Sequence, residues 1–157
     1  MQTISPCLWF DGNAEEAVNY YVSIFPNAKI VNAMRCGDSG PYPKGTVLAM
    51  DFLLENQLFK ALNGGPHFKF NEAVSFFVSC KDQTEVDHYW DRLTSDGGAE
   101  SQCGWLKDKY GVSWQIVPRA LFTLMGDKDP AKAGRVMQAM MQMKKIHVPT
   151  LEQAHAG

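Results

Sequence analysis

The sequence predicts an α+β protein made of two βαβββ modules followed by a helical tail. Three observations carry this. First, the chain repeats itself 69 residues on: Glu16 falls on Glu85, Tyr20 on Tyr89, Tyr21 on Trp90 and Ile24 on Leu93. Repetition at a fixed period marks a duplicated structural unit. Second, in each copy an apolar run leads into a helical stretch and then into shorter apolar runs separated by turn residues. Third, the pattern closes at Pro118, and a Met-rich stretch of different character follows.

In the first module, Ile4–Phe10 is a strand bounded by Ser5-Pro6 and Asp11-Gly12. Asn13 suits a helix N-cap, and Glu15 and Glu16 sit in the positive first turn. Ala14, Ala17, Val18, Tyr21, Val22, Ile24 and Phe25 make an apolar helical stripe, which Pro26-Asn27 ends. Residues 28–36 read as a strand, and Gly37 to Gly45 carries too much Gly and Pro to be regular. Thr46–Leu54 is a strand, Glu55-Asn56 a hairpin turn, and Gln57–Leu62 the returning strand, ended by Asn63-Gly64-Gly65-Pro66.

The second module repeats the order. Ala73–Cys80 is a strand, and Asp82 caps a helix over Gln83–Ser95 that Gly97-Gly98 terminates. A short strand follows around Glu100–Cys103. Trp105–Lys107 and Val112–Val117 then form a hairpin across Asp108-Lys109-Tyr110-Gly111, where Asp108 is suited to accept backbone N–H bonds in the turn. In the tail, Asp129 and Pro130 mark a helix start. Ala131–Lys145 is the expected helix, with Val136, Met140 and Met143 on its apolar face and Met137 and Met141 beside them. One more turn is expected within Thr150–Ala156. The modules span 1–66 and 73–118 and the tail 119–157, all expected to form one compact domain.

Composition narrows the function. The 157 residues are 45% hydrophobic and 20% charged with a net charge of −2, an ordinary globular balance. That charge argues against a nucleic-acid partner, which needs clustered positive excess. No apolar run is long enough to span a bilayer, and the N-terminus lacks a basic, cleavable leader. Cys7, Cys36, Cys80 and Cys103 form no CxxC pair and read as reduced thiols of a cytoplasmic protein.

Several segments resemble a known family: Pro6 to Gly12, Tyr20-Tyr21 with Phe25-Pro26, ALNGGP at Ala61–Pro66, Ser75-Phe76, CGWLKDKYGVSWQIVP at Cys103–Pro118, and Ala139–Ala154 in the tail. Together they resemble the vicinal-oxygen-chelate superfamily of glyoxalases, dioxygenases and bleomycin-resistance proteins. The finer match is to its PhnB-like branch, often labelled 3-demethylubiquinone-9 3-methyltransferase-like. The resemblance implies that each module curls its sheet around one side of a cleft, and that the protein is a homodimer. Metal-dependent members of the superfamily place His or Glu on the first and last strands of each module. Here those strands carry none, and Gln115 stands where such members have Glu. A neutral amide is a poor ligand for a divalent metal, so no metal is expected. The methyltransferase label carries little weight. No Gly-rich turn opens a helix as a nucleotide-type methyl donor would need, and no cofactor is expected.

Strand alternation puts Ser113, Gln115 and Val117 on one face. With Ser75, Phe77, Leu8, Phe10, Phe59, Ala61 and Asn63 counted by the same parity, this gives an apolar cleft whose polar groups are Gln115, Asn63 and Ser75. Trp105 is a candidate for its rim. Whether these polar groups meet a ligand or only satisfy one another stays open at this level. Cys103 has no histidine at a motif spacing and reads as structural. His67 and Glu72 are two potential metal ligands without a third. The expected function is metal-independent binding of a small molecule. The alternatives are a lyase, isomerase or dioxygenase with unexpected metal ligands, and a methyltransferase.

Overall fold

The computed structural model describes residues 2–157. The chain divides into two compact units, Met1–Phe70 and Asn71–Gly157.

The first unit runs β1 (Cys7–Phe10), α1 (Ala14–Ile24), β2 (Ala28–Arg35), β3 (Val47–Leu54) and β4 (Gln57–Asn63). Its sheet has the order β1-β4-β3-β2, with β1 parallel to β4 and the other pairs antiparallel. Glu55 and Asn56 both take positive φ in the two-residue turn between β3 and β4, as a hairpin following the strand twist requires. Helix α1 buries Ala14, Ala17, Val18, Tyr21 and Ile24. Tyr21 stacks on Phe52, and Phe52 on Phe59.

The second unit runs β5 (Ser75–Cys80), α2 (Gln83–Thr94), β6 (Ala99–Glu100), β7 (Trp105–Lys107), β8 (Ser113–Pro118), α3 (Arg119–Met125), α4 (Pro130–Met141) and α5 (Val148–Ala156). Its sheet order, β5-β8-β7-β6, repeats that of the first unit, again with the first pair parallel. The Asp82 carboxylate accepts from the Glu85 N–H, and the Glu85 carboxylate accepts from the Lys81 N–H. This reciprocal capping fixes the start of α2.

Three expectations need correction. Asn13 makes no side-chain cap to α1. The cap comes from Asn63, whose Oδ1 accepts from the Ala14 N–H at 3.0 Å while its amide donates to the Val47 carbonyl. Cys103 lies outside any strand, in a turn at φ 57°. Gly104 follows at φ +85°, where a Cβ would meet the Ile116 carbonyl at 2.9 Å, so the close approach needs glycine. The tail helix α4 stops at Met141, and a helix not anticipated, α3, follows β8 directly. The tail is integral to the second unit. Val136, Ile146 and Leu151 form a core with Val117 and Leu121, against which Met140 and Met143 pack, leaving Met137 and Met141 exposed. The backbone joins them too: the Cys103 and Gly104 N–H groups donate to the Met143 and Lys144 carbonyls.

Candidate functional site

The two units agree in topology but differ by one residue between first strand and helix. Three residues separate Phe10 from α1, whereas two separate Cys80 from α2. The helices therefore correspond at 69 residues and the first strands at 70, with Phe10 matching Cys80, both buried. A one-residue slip exchanges the two faces of a strand. The strand parity expected for the first unit is accordingly reversed. Leu8, Phe10, Phe59, Ala61 and Asn63 are all buried, and Asn63 is bonded to the start of α1. Phe10, Phe59 and Asn63 thus serve the helix-facing core. The first-unit residue corresponding to Gln115 is Lys60, which pairs with Cys7 in register and with Asp51 in a 2.8 Å ion pair.

In the second unit the sheet has one face toward α2 and one away from it. Trp114 and Ile116 are buried on the α2 side with Val86, Trp90, Leu93 and Leu106. On the opposite face, registered rows bring the candidate residues together. Phe77, Gln115 and Trp105 stand side by side on β5, β8 and β7. The next row holds Ser75, Ser113 and Lys107. Four of the expected site residues, Gln115, Ser75, Phe77 and Trp105, therefore share one surface.

The polar geometry of this surface is specific. Gln115 Nε2 donates to Ser75 Oγ at 2.9 Å. The Ser113 hydroxyl is buried and has no hydrogen-bond partner. Such a group costs about 1–3 kcal/mol against a satisfied one. Lys107 forms an ion pair with Glu72, so Glu72 is engaged as a charge partner. Phe77 is 49% exposed and lies 6.0 Å, centroid to centroid, from the 58% exposed Phe122 of α3. Two of these residues were not expected as site members. Ser113 had the right parity, but its burial without a partner has no sequence signal. Phe122 lies on the helix that the sequence did not reveal.

Asp108 serves the turn. It is buried, and one carboxylate oxygen accepts from the Tyr110 and Val112 N–H groups while the other accepts from Trp114 Nε1 at 2.9 Å. The four cysteines are free thiols. Burial pushes the Cys80 thiol up to about 12, helped by the charge of Glu85. That holds it protonated, the opposite of what a nucleophilic thiolate needs.

Two βαβββ units of this topology define a glyoxalase-like fold, the vicinal-oxygen-chelate class. The chain belongs to the 3-demethylubiquinone-9 3-methyltransferase family, whose pattern matches residues 2–117. It is 36% identical to the PhnB protein of Bacillus cereus, with a TM-score of 0.70, covering 74% of this chain and 99% of that one. A Pseudomonas aeruginosa protein is 19% identical with a TM-score of 0.62, covering 75% of this chain and 98% of that one. A glyoxalase/bleomycin resistance protein of Albidiferax ferrireducens is 10% identical with a TM-score of 0.51, covering 75% of this chain and 99% of that one. The last two are likenesses of fold alone. No curated protein matches the chain.

The fold class implies a divalent metal, and the family's name implies a methyl donor. The residues present fit neither. β1, β4, β5 and β8 carry no His, Asp or Glu, and Gln115 directs its amide nitrogen at a serine. Among the described residues, no three His, Cys, Asp or Glu side chains come together. Gly64-Gly65 lies in a loop after β4, and Gly97-Gly98 leads into β6, so neither pair opens a helix. No helix among the described residues is long and apolar enough to cross a membrane.

Proposed function

We propose that this chain binds a small uncharged molecule on the sheet face of its second unit, through hydrogen bonds rather than a metal. The observation that carries this reading is the Gln115–Ser75 pair, half-buried on the sheet face away from α2. Gln115 uses its amide nitrogen within the protein and keeps its carbonyl oxygen for another donor. An acceptor is thus held on a surface bordered by Phe77 and Trp105. A few placed polar groups among aromatic side chains are the usual make-up of a ligand site. Lys107 brings no uncompensated charge, being paired with Glu72.

Substitutions separate binding from packing. Ser113→Ala removes the unsatisfied hydroxyl and is expected to raise stability by about 1–2 kcal/mol in urea unfolding. Gln115→Leu is expected to leave the fold intact and to weaken neutral compounds found by spectroscopic screening against this face by about 1–3 kcal/mol. A Ser113→Ala variant less stable than the parent would contradict the first expectation. Compounds that perturb only residues elsewhere would contradict the second.

The reading includes a homodimer in the cytoplasm. Four free cysteines support a reducing compartment. The Met-rich stripe of the tail supplies no dimer surface through Met140 and Met143, which pack within their own unit. Support comes instead from β2, an edge strand with Ile30, Val31 and Met34 exposed. Exposed apolar edges invite pairing with another chain. Light scattering at micromolar concentration should give the mass of two chains; the mass of one would refute the dimer.

A further inference from the structure

We infer that α3 adds a specificity wall to this face, with Phe122 selecting ligands that carry a planar aromatic ring next to an uncharged amide-like head. The inference rests on the binding reading above and extends it to a segment beyond the family pattern, which ends at residue 117. Pro118 ends β8, and α3 begins at the next residue. The helix is anchored by Leu121, buried in the core with Val117, Val136, Ile146 and Leu151. Val117 lies on the Gln115 side of β8, two residues along the strand. The tail core therefore abuts the same face, at the end where α3 begins.

The neighbouring side chains of α3 divide the work. Leu121 is 4% exposed in that core, whereas Phe122 is 58% exposed and meets Phe77 at 6.0 Å with an interplanar angle of 39°. Phe77 stands beside Gln115 in the registered row. Two tilted rings left open to solvent next to a hydrogen-bonding pair offer an aromatic ligand stacking and edge contacts. The head must give a donor to the Gln115 carbonyl oxygen. A primary amide does so, and a carboxylate supplies no donor. Lys107, in the adjacent row, is paired with Glu72, which leaves little to attract an anionic head.

Benzamide tests this directly, with benzoate and cyclohexanecarboxamide as controls, followed by NMR of the full chain. Benzamide is expected to move the Gln115 side-chain amide signals and to bind more tightly than either control. Phe122→Ala is expected to weaken benzamide about three- to tenfold, the worth of one aromatic contact, and Phe122→Tyr to retain it. Because Phe122 is exposed, neither change should alter the fold, as circular dichroism will verify. If benzamide moves Gln115 but Phe122→Ala binds it equally well, the wall is overturned and the binding face stands. If benzoate binds as tightly as benzamide, the uncharged head is overturned. If no probe moves Gln115, the wall and the binding face fall together.

Discussion

Asp108→Ala should destabilise the protein by about 3–5 kcal/mol, a large effect for a surface-turn position in the sequence. The carboxylate is buried and takes hydrogen bonds from the Tyr110 and Val112 backbones and from the Trp114 indole. Alanine leaves all three donors without it, and those of Val112 and Trp114 are buried. The loss should spread beyond the turn, because Trp114 is a core residue on the α2 side of the sheet and also meets Phe76. Asp108→Asn keeps one acceptor oxygen and should cost less, about 1–2 kcal/mol. Urea unfolding of both variants checks the order. An alanine variant within about 1 kcal/mol of the parent would mean that the turn satisfies its donors otherwise.

Leu151→Ala carries the second large effect, about 2–5 kcal/mol. Leu151 sits on the last helix, six residues from the end of the chain, yet it is fully buried with Val117, Leu121, Val136 and Ile146. Truncating it opens a cavity in the core that joins the tail to β8. The expected signature is a single unfolding transition shifted to lower denaturant, since Val117 and Leu151 belong to one cluster. An early separate transition for the tail, with β8 unaffected, would show the tail to be an independent appendage.

The larger features of the fold were legible in the sequence, for physical reasons that also explain the misses. Both βαβββ orders, the Asp82 and Asp129 caps and the Glu55-Asn56 turn depend on local chemistry, and the structure has each of them. Asn63 acts on Ala14 across 49 residues, so the adjacent Asn13 looked like the cap. The face of β1 depended on one additional residue before α1, which the 69-residue helix repeat conceals. That single residue moved Phe10, Phe59 and Asn63 from the expected cleft to the core. Helix α3 has only seven residues and follows a strand without a loop, leaving too short a period to read. Gln115, Ser75, Phe77 and Trp105 were legible together because their module has one regular sheet face.

The central claim is that the Gln115 face recognises its ligand by hydrogen bonding and holds no divalent cation. Titration of the labelled protein with Mn²⁺ tests it most directly, since the ion broadens the signals of nuclei close to where it binds. With one equivalent of Mn²⁺, the account predicts that the Gln115 side-chain amide and the Ser75 and Ser113 backbone signals stay sharp. Selective broadening of those signals, reversed by a chelator, would contradict it.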